Sequence, residues 1–193
     1  MPERPKAPEF MEETDVVELL IRQHMMIRQL FDEVEETPAS DRAEAFQRLV
    51  RLLAVHETAE EEIVHPYARR KIEDGDNVVR DRLREEREAK ELLSVMDKAG
   101  VADQNFSTNL AKLRAAVLAH ANSEERYEFA RLREATTEAE RRAMAAGVKA
   151  AEALAPTHPH PGVESMKKNL LMGPPTALMD RTRDVIRKAM RKS

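Results

Sequence analysis

The chain has no cysteine and no tryptophan in 193 residues, only five glycines, and an aromatic content of 4%. Without cysteine, disulfides and thiolate chemistry are both excluded, which fits a reducing compartment. Ala, Leu, Glu, Arg and Met dominate what remains, and charged residues reach 35%. That is a helix-forming composition. No stretch has the apolar length of a membrane span. The opening MPERPKAPEF carries three prolines and no apolar run, so it does not read as a secretory leader. The expectation is a soluble, cytoplasmic helical protein. Its net charge of −4 is unevenly spread: from Pro156 onward eight Lys/Arg face three Asp/Glu, leaving an acidic body and a basic tail. Opposite charges of this kind argue for a tail that docks on its own body.

This length suits one domain with a proper core. Helical periodicity predicts a first helix over about 14–36 and a second from Ser40 or Asp41 to about Lys71, with Glu44 placed for a capping box. A third helix is expected over about 76–99, stopped by Gly100. The fourth starts near Asp103 and runs past Glu134, as far as Leu154 at its longest. Short connections between helices of similar length predict an all-α, up-down-up-down four-helix bundle. Its limits are 13–155, preceded by a flexible segment over 1–12. Residues 156–193 form a Pro-rich linker, PTHPHPG, and a short helical tail packed on the bundle, with a stripe at Leu178, Val185 and Ala189.

The core-facing seam of each helix follows from alternating steps of three and four. On the second helix it reads Phe46, Leu49, Leu53, His56, Glu60, Ile63, Tyr67. The first gives Val16, Leu20, His24, Ile27, Phe31, Val34, and the third Val79, Leu83, Glu86, Ala89, Leu93, Met96. On the fourth the seam is Phe106, Leu110, Leu113, Val117, His120, Glu124, Tyr127. Every helix has its polar interruption near mid-seam. His24, His56, Glu60, Glu86, His120 and Glu124 should therefore converge on one point in the interior.

A buried carboxylate is costly unless it is paired or ligates a metal. Imidazole with carboxylate suits Fe, Mn or Zn. Six ligands exceed one tetrahedral site but suit two ions sharing carboxylates, leaving a position open for a small ligand such as O2. The alternative is a metal-free His–Glu network, which needs every member satisfied. Tyr67 and Tyr127, on the seams, read as core tyrosines, with a hydrogen bond to a ligand or bound oxygen species as the alternative. His65 falls on the face opposite His56, and His158 and His160 fall in the linker; all three read as structural or solvent-facing. Glu61 and Glu125 point further round.

With these residues in place the chain resembles the hemerythrin-like HHE cation-binding domains. Their pattern is a His on helix one, HxxxE on helix two, a His on helix three and HxxxE on helix four. His24 in LLIRQHMMIRQLF, His56 and Glu60 in HETAEEEIVHP, and His120 and Glu124 in HANSEERYEF match it. The tail is also similar to that of bacterial members, so the resemblance covers nearly the whole chain. Helix three departs: LREEREAKELL places Glu86 where a histidine is usual. In some relatives, an iron-sensing domain among them, the residue after the helix-two His also binds. Here that residue is Glu57, about 70° off the seam, which reads as solvated, with metal contact from the edge as the alternative.

The resemblance implies two iron ions in an Fe–O–Fe type centre, with Mn or Zn able to take their place. His24, His56, His120 and Glu86 would be terminal ligands, and Glu60 and Glu124 bridges. It also implies a small ligand, O2, H2O2 or NO, with catalase-like peroxide removal among the activities and an iron or oxygen sensor or an iron store or donor as the alternatives. Three seam histidines are too few for a respiratory O2 carrier. The basic tail lacks the interleaved aromatics of a nucleic-acid binder. Monomer and homodimer are both compatible with a Met-bearing tail helix.

Overall fold

The computed structural model describes residues 14–153 and 175–191. The expectations for residues 1–12 and for the linker with His158 and His160 lie outside these residues.

Asp15 opens the first helix, its carboxylate accepting from the Val17 N–H at 2.9 Å, and α1 runs Val16–Glu36. All six of its seam residues are buried. α2 (Arg42–Ala59) follows a short turn, although Asp41 makes no side-chain cap bond and the anticipated capping box is absent there. The second helix then departs from plain α geometry. Glu60–Val64 is a π-turn, π1, in which the His65 N–H reaches back five residues to the Glu60 carbonyl. α3 (His65–Lys71) completes that helix, and α4 (Gly75–Ala99) is the third, ending on Gly100 at φ +77°. The fourth repeats the device: α5 (Phe106–Ser123), a π-turn π2 (Glu124–Phe129) and α6 (Ala130–Ala135).

The fourth helix does not continue toward residue 154. Thr136 turns to an extended conformation, and a capping box between Thr137 and Glu140 starts α7 (Glu138–Glu152). Two orphan N–H groups satisfied reciprocally are enough to favour a new helix over continuation. α7 lies against α1 and α2, and α8 (Pro175–Met190) packs on α7 and α2. The buried stripe of α8 is Leu178, Thr182 and Ile186, one residue beyond the anticipated Val185. α1 against α2, α3 against α4, α4 against α5 and α5 against α1 close the four-helix bundle. Among the described residues no helix is long and apolar enough to cross a membrane.

Two apolar clusters fill the interior. One holds Leu20, Ile63, Val79, Phe129 and the inner faces of α7 and α8; the other holds Ile27, Leu53, Ala89, Leu93, Val117 and the helix ends beyond them. The mid-seam polar residues occupy the layer between the two.

The turn between α3 and α4 is tight. A Cβ on Gly75 would stand 2.4 Å from the Ala68 carbonyl oxygen and 2.9 Å from the Arg69 Cα, both backbone atoms that cannot swing aside. Gly75→Ala is therefore expected to lower unfolding stability by about 2 kcal/mol, the usual scale of overpacking. In a chain of this size that is roughly a 5 °C fall in Tm, read by thermal unfolding in chelator. A silent substitution would mean that the α3–α4 corner can open.

Candidate metal centre

His24, His56, Glu60, Glu86, His120 and Glu124 are all buried, and Glu60 and Glu124 have 0% exposure. The structure brings all six together. Their ligand atoms fall into two sets, His24, His56, Glu60, Glu124 and Glu60, Glu86, His120, Glu124, each lying within 4.8 Å of one another. Glu60 and Glu124 belong to both.

Contacts inside the cluster have the spacing of ligands around an ion. His24 Nε2 is 3.3 Å from one Glu124 oxygen, His120 Nε2 is 3.3 Å from the other, and His56 Nε2 is 3.4 Å from Glu60 Oε1. Two donors at about 2.1 Å from one ion stand roughly 3.0 Å apart at a right angle and 3.4 Å at the tetrahedral angle. None of these contacts is aligned as a hydrogen bond. The Nε2 atoms of His24 and His120, and all four carboxylate oxygens of Glu60 and Glu124, are buried without a hydrogen-bond partner. A metal-free network needs those atoms satisfied. The donor set of imidazoles and carboxylates fits borderline cations such as Fe, Mn or Zn.

The outer ring nitrogens are all taken. His24 Nδ1 meets Glu125 at 2.8 Å, His56 Nδ1 meets Gln23 Oε1 at 2.7 Å, and His120 Nδ1 meets Glu85 at 3.0 Å. Such bonds fix the ring and leave Nε2 to face the centre. Without a cation the site holds its charge poorly. Burial, then the neighbouring Glu124, drive the Glu60 carboxyl well above its ordinary range. Burial also acts to raise Glu124, but His120 and His24 outweigh it and hold that carboxylate well below. His120 rises to about 12: burial opposes its charge, and Glu124 more than compensates.

Glu57 is not solvated. It is buried, pushed up to about 8 by that burial, and lies 3.5 Å from Lys90, which also reaches Glu61 and Glu86. It belongs to neither ligand set.

Three residues, His65, Tyr67 and Tyr127, are misplaced by plain helical periodicity. His65 is only 2% exposed and stands in the cluster, Nε2 2.6 Å from Glu86 Oε1 and Nδ1 2.8 Å from Glu128 Oε1. Tyr127 is 46% exposed, and Glu128 is buried beside it instead. A π-turn absorbs one extra residue, so everything after it rotates by roughly 100° relative to an α-helix. By the same shift Ala68, not Tyr67, lies fully in the core. The sequence does carry a signal of the phase jump. Continued seams would place Arg70, Arg131 and Glu134 inside, whereas Ile72, Leu132 and Ala135 are the apolar residues.

The crevice above the cluster is small. Ile27, Leu53, Val117, Leu118 and Ala121 line it with His24, His56, Glu57 and His120, and it has room for about one water-sized guest.

The fold has been seen before. The chain is similar to the crystal structure of a hemerythrin HHE cation-binding-domain-containing protein from Mycobacterium kansasii, with a TM-score of 0.67 and 21% identity over 87% of this chain and 98% of that one. No curated protein matches the chain. The family model for the hemerythrin HHE cation-binding domain matches residues 15–132, which span all four bundle helices and the whole His/Glu cluster. The chain belongs to the hemerythrin HHE cation-binding domain family.

Proposed function

We propose that the chain is a hemerythrin-like non-haem diiron protein that binds or reacts with O2, H2O2 or NO at the His/Glu centre. The observation that supports this most is the sharing of Glu60 and Glu124 between two ligand sets, with every oxygen of both orphaned. Two irons, when bound, supply electrons and Lewis acidity to a small oxidant. His24, His56 and His120 would present Nε2 to them, Glu86 a terminal carboxylate, and Glu60 and Glu124 the bridges. Glu125, Gln23 and Glu85 hold the imidazoles in orientation. Lys90 offsets the negative charge on Glu57, Glu61 and Glu86. A set this rich in carboxylate favours the ferric state, and a crevice with room for about one water-sized guest suits only the smallest ligands. Peroxide removal of the catalase type suits both features.

A second reading, an iron or oxygen sensor, is favoured by one contact set. Arg183 and Arg187 on α8 pair with Glu61 and Glu62, on the turn that carries Glu60. Metal content and the ultraviolet–visible spectrum of protein purified aerobically from iron-supplied cells test the main reading. The expected result is two irons per chain with the charge-transfer bands of a coupled ferric pair, which peroxide or NO then perturbs. One zinc, or no metal, overturns it. Iron lost at once to a mild chelator, with α8 then open to proteolysis, would favour the sensor.

A further inference from the structure

The two ligand sets are unequal. One has His24 and His56 beside the shared carboxylates, while the other has a single imidazole, His120, and the Glu86 carboxylate. We propose that His65 is the missing imidazole: a metal ligand delivered by π1, completing the half of the centre that Glu86 and His120 begin. This rests on the dinuclear reading above.

Three observations carry it. His65 shares with the other three histidines an Nδ1 held by a side-chain acceptor, and differs from them in an Nε2 that is hydrogen-bonded within the layer, to Glu86. Its Nδ1 is held by an acceptor outside the cluster, Glu128 at 2.8 Å, and its Nε2 faces inward, 2.6 Å from Glu86 Oε1. A carboxylate on Nδ1 is the usual way of aiming Nε2 at a metal. Second, His65 forms a further group of converging ligand atoms with Glu124 and Glu128, lying within 4.8 Å of one another. It is thus close to a carboxylate common to both sets. Third, Glu128 has its other oxygen, Oε2, buried without a partner, so the group reaching His65 is itself not yet satisfied.

The delivery is a consequence of backbone geometry. In an unbroken α-helix the fifth residue after Glu60 lies roughly 140° around the axis, outside the core. The i→i+5 bond from the His65 N–H to the Glu60 carbonyl takes up one residue and brings that angle to roughly 40°. Glu60 and His65 therefore enter the same layer from one helix. The following Pro66 has no N–H to contribute, so the α-helical register resumes after the turn without it.

His65 has a competing role: it could act only through Glu86, fixing that carboxylate by a hydrogen bond. A double-mutant cycle separates the two. The apo chain is loaded with Co2+ alone. The number of ions, the affinity of each against a competing chelator and the d–d absorption are read for wild type, His65→Ala, Glu86→Ala and the double variant. The ion in question is the one whose affinity falls in Glu86→Ala. A ligand His65 predicts that His65→Ala weakens this ion by about tenfold or more and does so again in the Glu86→Ala background, with altered d–d bands. If the effect of His65→Ala disappears once Glu86 is gone, or is absent from the start, His65 is not a ligand and the proposal fails.

His65→Gln keeps a polar contact to Glu128 and Glu86 but lacks the imidazole. Should His65→Ala fail to fold, His65→Gln carries the same comparison. Wild type taking up two ions with a silent His65 overturns this proposal alone. Wild type taking up fewer than two overturns the dinuclear reading, and this one with it.

Discussion

Glu124→Gln is expected to remove both ions, where His24→Ala removes one. Glu124 is the fourth-helix member of both ligand sets, with 0% exposure, and its two oxygens stand 3.3 Å from His24 Nε2 on one side and 3.3 Å from His120 Nε2 on the other. A carboxamide has nearly the same shape, so packing survives, but it carries no charge and bridges cations poorly. His24 belongs to one set only. Thermal unfolding with and without metal makes the contrast large. An ion held at a thousand times its Kd adds about 4 kcal/mol to the folded state. In a chain of this length each such site raises Tm by roughly 8–16 °C. Wild type should show two such increments, His24→Ala one, and Glu124→Gln none. A Glu124→Gln chain that keeps a single ion and half the increment would show the two sets to be independent sites with no shared carboxylate.

How far the centre is legible in the sequence follows from where the helices stay α-helical. His24 on α1 and Glu86 on α4 sit in unbroken helices, and His56, Glu60, His120 and Glu124 lie before or at the first residue of a π-turn. For all six, counting in threes and fours gives the correct face. Beyond Glu60 and Glu124 the count is wrong by one residue, which turns His65 and Glu128 inward and Tyr127 outward. Nothing in residue propensity announces an i→i+5 bond; only the shift of apolar residues to Ala68, Ile72 and Leu132 records it. Glu57 was hidden for a different reason. A wheel places it at the seam edge, but whether an edge position is wet depends on what the next helix contributes, here Lys90. The end of the fourth helix is a local matter, and Thr137 with Glu140 spells the capping box openly.

Glu60→Leu is expected to make the metal-free chain more stable while abolishing metal binding. In the absence of a cation Glu60 is fully buried, both its oxygens lack partners, and it shares its layer with the carboxylates of Glu86 and Glu124. Burial and Glu124 drive its pKa far up, so the folded apo chain keeps it as an unpartnered neutral acid or an unpartnered anion; both are costly. Leu has similar volume, and it would join Leu53 and Ile63 above and below on the same seam. Replacing buried ionic groups by apolar ones of like size is often neutral or stabilising by about 1–4 kcal/mol. Urea unfolding in chelator should therefore show a gain of about 2 kcal/mol, and the same chain should take up no ions. The opposite sign would be decisive in another way. A loss of stability on that scale would mean that Glu60 is satisfied in the apo chain, as a metal-free His–Glu network requires, and the orphaned oxygens would no longer argue for a cation. A gain means that the fold tolerates a destabilising carboxylate at its centre, which is what a site kept for a ligand predicts.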